Sequence, residues 1–152
     1  MICPIATHDI KVNLKNRDWA FKNVGYGPAN PEEDNADFWL KKSDEWQTDV
    51  DNAKEMRCGN CAAFIQTPEM MDCIEKGIGD EPGSYAKDIM ATAGLGYCEL
   101  FEFKCAADRT CSAWLVGGPI TKRMSERQRQ MLKMAKLEYS GEDNEEMDSE
   151  RD

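Results

Sequence analysis

The first third of the chain shows no sustained hydrophobic period. Gly25, Gly27, Pro28, Asn30 and Pro31, with the acidic run Glu32-Glu33-Asp34, interrupt any helical or strand repeat, so residues 1–35 read as irregular. Helical spacing begins at residue 37 and runs to residue 46. Trp39 and Trp46 stand seven apart with charges between them, which predicts a short amphipathic helix with both indoles in the core. Thr67-Pro68 opens a second helix, Thr as N-cap and Pro at the first helical position, with Gly77 as its stop. Cys73 falls midway along it, on the side of Met70. Residues 85–93 form one more helical stretch.

The pattern then shifts toward alternation. Residues 97–104 place Tyr97, Phe101 and Phe103 at strand-like intervals, and residues 111–116 form a second short β-like run. The segment Ala106-Ala107-Asp108-Arg109-Thr110 lies between them, which predicts a hairpin with Cys105 and Cys111 at its neck. Facing positions of such a hairpin lie within disulfide range, so Cys105 and Cys111 are a candidate disulfide. Ser125 and Gln128 fit a capping box, and the helix that follows carries Met131, Leu132, Ala135 and Tyr139 as its apolar stripe. The expected fold is a small α+β domain, largely irregular, with short helices and an antiparallel hairpin. It divides into an irregular N-terminal segment with a Trp-bearing helix (1–55), a cysteine-bearing region (56–121), a basic amphipathic helix (122–138) and a disordered acidic tail (139–152).

Charge narrows the partners. Nineteen Lys and Arg against 29 Asp and Glu give a net charge of −10, unsuited as a whole to nucleic acid. The balance is uneven: residues 122–138 hold six basic and two acidic side chains, and residues 139–152 hold seven acidic and one basic. A mean hydropathy of −0.68 and no run near the ~20 apolar residues of a membrane span argue against a membrane. No signal peptide is visible, which places the chain in the cytoplasm of the producing cell. Hydrophobic residues make up 41% of the chain, enough for a modest core that calls for a staple. Seven cysteines are its obvious source, and in a reducing compartment clustered cysteines bind metal more often than they pair.

Inventory excludes several enzyme classes. His8 is the single histidine, so an HExxH zinc site and a Rieske centre cannot be built within one chain. No nucleophile elbow and no P-loop is present, and no catalytic residue is assigned. The reading is therefore of a non-enzyme.

The cysteine spacing is the informative feature. Cys58-Gly59-Asn60-Cys61 is a C-x2-C pair, a pattern that zinc ribbons, redox pairs and iron–sulfur sites share. No second short pair follows. One short pair with widely separated single cysteines suits a [4Fe–4S] core, whose four corners each take one thiolate. Phe64, Tyr97 and Phe101 stand close to these cysteines in sequence and are candidates for shielding a cluster from water.

Cys58-Gly-Asn-Cys-Ala-Ala-Phe64 resembles the C-x-N-C-x-x-aromatic segment of high-potential iron–sulfur proteins. Gly96-Tyr97-Cys98-Glu-Leu-Phe101 resembles their terminal Gly-Trp-Cys-x-x-Trp segment, with Tyr and Phe in place of the tryptophans. The resemblance covers residues 56–104 and implies Cys58, Cys61, Cys73 and Cys98 as ligands of a [4Fe–4S] cluster acting in one-electron transfer. Cys3 then reads as a small buried residue. The gap from Cys73 to Cys98 is longer than in that family, and the chain continues well beyond the fourth ligand. That continuation, from Phe103 to Pro119, is similar to cluster-type proteins of marine bacteriophages. It implies an alternative, a virion-associated or structural protein whose cluster stabilises the fold, with a redox or virion protein as partner. A zinc-binding structural domain is the third reading.

Overall fold

The computed structural model describes residues 2–28, 30, 33–79 and 81–140. Among them are seven helices and a three-stranded antiparallel sheet, an α+β arrangement with long irregular connections. No helix of the described residues is long and apolar enough to cross a membrane.

The N-terminal segment is not irregular. It holds α1 (Ile5–His8) and α2 (Ile10–Asn23). Asp9 caps α2, its Oδ1 accepting from the N–H groups of Lys11 and Val12 at 3.0 and 3.2 Å. The buried residues of α2 are Asn13, Asn16 and Ala20, which explains why no hydrophobic period marks it. Its polar core face serves the sheet: Lys104 N–H donates to Asn13 Oδ1 at 2.7 Å, and Asn16 Nδ2 donates to the Glu102 carbonyl at 2.6 Å.

α3 (Ala36–Trp46) occupies the predicted span. Trp39 is buried, under the Arg57 guanidinium at 4.9 Å from its ring, whereas Trp46 is only half-buried. α4 (Val50–Ala53) is a single turn capped by Asp49. α5 (Pro68–Ile78) begins as its N-cap predicts, with Met70 N–H donating to Thr67 Oγ1 at 3.2 Å. It passes through Gly77 and stops at Gly79. Gly77 is there for a different reason: a Cβ on it would run into the Thr7 carbonyl, so α1 crosses α5 at backbone contact. α6 (Ala86–Ala93) ends on Gly94 in the left-handed region.

The sheet has the order β1 (Phe64–Ile65), β2 (Leu95–Cys98), β3 (Phe103–Ala106). Phe64 pairs with Cys98 across the first junction; Gly96 pairs with Cys105 and Cys98 with Phe103 across the second. The hairpin thus lies inside the stretch expected to be one strand, and residues 99–102 form its turn. Glu102 closes it at φ 56, with its N–H donating to the Cys98 carbonyl at 2.8 Å. Glu99-Leu-Phe-Glu102 carries no Gly, Pro, Asn or Asp to mark a turn, and Leu100 and Phe101 are both buried. A buried turn needs its backbone satisfied from within, which is the role of Asn16 at the Glu102 carbonyl.

Residues 107–121 are irregular and are tied along the sheet. Gly27 and Thr110 exchange hydrogen bonds of 2.9 and 2.7 Å, Ala62 N–H donates to the Leu115 carbonyl, and Ile120 N–H donates to the Phe64 carbonyl. α7 (Glu126–Ser140) starts at the predicted capping box: Ser125 N–H donates to Gln128 Oε1 at 2.8 Å, and Gln128 N–H returns to Ser125 Oγ at 3.1 Å. Leu132 and Ala135 are buried, and Met131 and Tyr139 half-buried. The expected acidic tail lies, from residue 141 onward, outside the described residues.

Gly77→Ala tests the α1–α5 crossing. In an open helix the change would add stability, by about 1 kcal/mol. Here the new methyl must displace α1, and we expect a net loss on the order of 2 kcal/mol in denaturant unfolding. An unchanged or raised midpoint would show that the helices do not touch there.

Candidate metal centre

The seven cysteines sort into two groups on opposite sides of the hairpin. Cys73, expected as the third cluster ligand, is instead disulfide-bonded to Cys3, with Cα atoms 5.5 Å apart. The bond follows from the fold. α5 turns Cys73 inward beside Met70 and Ile74, and the α1 crossing at Gly77 delivers the N-terminal residues to the same place. Tyr97 belongs to this side. It alternates with Cys98 along β2, and it lines a cavity together with Cys3, Pro4 and Val12. It therefore does not shield the remaining cysteines.

The other five converge. Cys98 and Cys105 project from one face of the hairpin, diagonally across Gly96, and the Phe64 ring fills the space a side chain on Gly96 would take. Cys58 and Cys61 arrive on a 3-10 turn (Cys58–Asn60). Cys58 N–H donates to the Arg109 carbonyl at 2.6 Å and Gly59 N–H to the Ala107 carbonyl at 2.9 Å, which lays this loop along the chain leaving β3. Asn60 braces the loop: its Oδ1 accepts from Arg57 N–H and from Trp114 Nε1, both at 3.0 Å, and its Nδ2 donates to the Glu55 carbonyl. Cys111 follows Thr110, which the pairing with Gly27 holds in place.

The sulfurs are mutual neighbours. Cys58 and Cys98 lie close enough to act electrostatically on Cys105, Cys61 and Cys111 alike, and each raises those thiols. The candidate disulfide is absent, because neither Cys105 nor Cys111 is oxidised. Cys105 faces Gly96 across β2–β3, and Cys111 is not on the opposing strand at all.

Burial dominates the electrostatics. It pushes the Cys61 thiol up to about 12, against the pull of two N–H donors, Ala63 and Leu115, each 3.4 Å from its sulfur. Cys111 and Cys105 are raised by burial as well. The Ala113 N–H, two residues downstream, pulls the Cys111 thiol down against that burial. A neutral thiol is a weak acceptor, whereas a thiolate is a strong one, so these N–H groups suit a deprotonated sulfur. A bound cation reverses the effect of burial, because a coordinating thiol loses its proton outright.

Phe64 and Phe101 are buried as expected. Phe101 packs between Trp19 and Tyr139, with centroids at 5.5 and 5.6 Å. Tyr26 is an aromatic neighbour of the thiols that sequence reasoning missed. It is buried, its ring meets Phe103 edge-on at 5.0 Å, its hydroxyl accepts from Ala106 N–H at 3.0 Å, and it interacts with Cys105 and Cys58. No sequence signal marks it, since Gly25-Tyr26-Gly27 reads as a loop.

Among the described residues no three His, Cys, Asp or Glu side chains form a group that could hold a single metal ion. A cubane asks for something else, one thiolate at each of four separate irons. Five reduced thiols from three segments, with Cys61 already receiving two backbone N–H bonds, fit that demand in donor type and number.

Two outcomes are expected from the thiols themselves. In denatured, unreduced, metal-stripped protein, five cysteines should alkylate while Cys3 and Cys73 stay blocked, as intact mass and peptide mapping will show. The bond closes a separation of 70 residues, so Cys3→Ser should cost on the order of 4 kcal/mol. The metal-free fold should also weaken in alkali. Between an unfolded thiol pKa of ~8.5 and about 12 for folded Cys61, only the unfolded chain has released the proton. Stability therefore falls as pH rises through that window, by up to ~1.4 kcal/mol per pH unit for each such thiol. Anoxic denaturant midpoints at pH 8 and pH 10 measure it, and equal values would show that the thiols ionise within the fold.

No protein-family model matches the chain, and neither a curated protein nor a solved structure shows significant similarity to it.

Proposed function

We propose that Cys58, Cys61, Cys98 and Cys111 hold a [4Fe–4S] cluster and that the protein acts in one-electron transfer. The observation that carries the reading is the convergence of these sulfurs, with two backbone N–H groups directed at that of Cys61. The resemblance of the segments around Cys58 and Cys98 to high-potential iron–sulfur proteins supports it. One corner departs from that family, because Cys73 is committed to Cys3 and Cys111, in the extension, takes its place.

When bound, the cluster supplies a reversible one-electron change. The chain's contribution is burial and orientation. Phe64, Phe101, Phe103 and Tyr26 keep water from the thiols, and the N–H bonds stabilise negative charge on sulfur. Cys58 and Cys98 are only half-buried, which leaves the group close enough to the surface for exchange with a partner. Because metal binding and folding are coupled, the same group would also serve to hold the fold together.

Protein prepared without oxygen should be brown and contain four irons and four sulfides per chain. Replacing Cys58, Cys61, Cys98 or Cys111 by Ser should remove most of the iron and lower the unfolding midpoint. A colourless protein with one tightly held zinc overturns the cluster. A cluster that voltammetry cannot cycle reversibly overturns electron transfer and leaves the stapling role.

A further inference from the structure

Of the four proposed corners, Cys111 has the least local support. Cys58 and Cys61 share one tied loop and Cys98 stands in β2, whereas Cys111 comes from the irregular segment after β3. Its place is set by the residues on either side. Thr110 exchanges hydrogen bonds with Gly27, and Ser112 N–H donates to the Val24 carbonyl at 2.7 Å. The Ser112 hydroxyl is held as well, by α3. Lys42 Nζ donates to Ser112 Oγ at 3.2 Å, and Ser112 Oγ donates to Glu45 Oε2 at 2.9 Å. Lys42 pairs with the same carboxylate oxygen at 3.2 Å, which closes a ring of three side chains.

The ring is lopsided. The Lys42 side chain is 3% exposed, and that of Glu45 is 36% exposed. The ammonium lies between the Phe38 ring, 5.1 Å from its centroid, and the backbone of Gly25, where a Cβ would stand 2.6 Å from Nζ. Burying an ammonium is costly, and an apolar side chain of similar volume would pack α3 as well. What Lys42 adds over such a side chain is a donor directed at Ser112, the residue next to Cys111.

We propose that Lys42 is a positioning residue for the metal centre, which acts through Ser112 to hold the Cys111 thiolate at its corner. The inference rests on the cluster reading above, with Cys111 as a ligand. A thiolate fixed in place retains its iron. One that swings away surrenders it, and a cubane that loses a single iron becomes [3Fe–4S].

The test uses the full chain, prepared anoxically as wild type, Lys42→Met, Ser112→Ala, Ser112→Thr and the double variant Lys42→Met with Ser112→Ala. Lys42→Met should fold, because Glu45 keeps the Ser112 hydroxyl and water as partners. It should lose one iron to a chelator about tenfold faster than wild type, the electron paramagnetic resonance signal of [3Fe–4S] growing in step. Ser112→Ala should behave alike, and the double variant should be no faster than either alone, since the two act in one chain of contacts. Ser112→Thr keeps the hydroxyl and should stay close to wild type. In metal-free protein, the Ser112 amide should exchange with solvent faster in Lys42→Met than in wild type. Iron release from Lys42→Met at the wild-type rate overturns the proposal. So does loss of all four irons together, which marks a general loosening of the fold. An unchanged Ser112 exchange rate overturns the proposal and leaves the cluster reading standing. Wild-type protein without iron is a separate result, which overturns the cluster reading and the inference with it.

Discussion

The thiol group depends on two backbone hydrogen bonds, from Cys58 N–H to the Arg109 carbonyl and from Gly59 N–H to the Ala107 carbonyl. They join the C-x2-C loop to the chain leaving β3, two segments about fifty residues apart in sequence. Together with the β1–β2 pairing of Phe64 and Cys98, they fix the loop's sulfurs relative to those of the hairpin. Arg57 adds a third tie, Nη1 donating to the Asp108 carbonyl at 2.8 Å. Gly59 is part of the constraint. A Cβ there would stand 3.0 Å from that of Ala107, closer than packed side chains ordinarily approach.

The hairpin is held from its other end by polar groups. Its turn is buried rather than exposed, against the usual placement of connections at the surface. A buried turn is stable only if its carbonyls and N–H groups find partners inside: Asn16 of α2 donates to the Glu102 carbonyl, and Glu99 N–H donates to the Ala63 carbonyl. Phe101, at the tip of that turn, is then free to pack between Trp19 and Tyr139, which links α2 and α7 to the sheet.

Two kinds of sulfur chemistry occupy the two faces of one small sheet. The disulfide closes the face toward α1 and α5, and the reduced thiols gather on the other. Strand alternation separates them, since Tyr97 and Cys98 are neighbours in sequence and point apart. The disulfide also weakens the step from cysteine count to a reducing compartment, because one pair is oxidised while five remain as thiols.

Local chemistry settled much of this from sequence. The Thr67-Pro68 start, the Ser125–Gln128 capping box and the indole spacing of α3 each act within one or two helical turns, so each is legible in a few residues. The C-x2-C loop and the cysteine excess likewise announced a sulfur site. What the sequence did not reveal was decided by contacts between distant segments. α2 buries asparagines whose partners lie about ninety residues on, so its inner face carries no hydrophobic period. The turn at residues 99–102 has no turn residue, because α2 and α7 rather than local propensity hold it. The pairing of Cys3 with Cys73 follows from the α1–α5 crossing, the separation of Tyr97 from the five thiols and the placing of Cys105 from the β2–β3 register, and the placing of Cys111 from the Gly27–Thr110 pairing. Spacing along a chain states which cysteines can share a loop; only the tertiary fold determines which face each sulfur reaches.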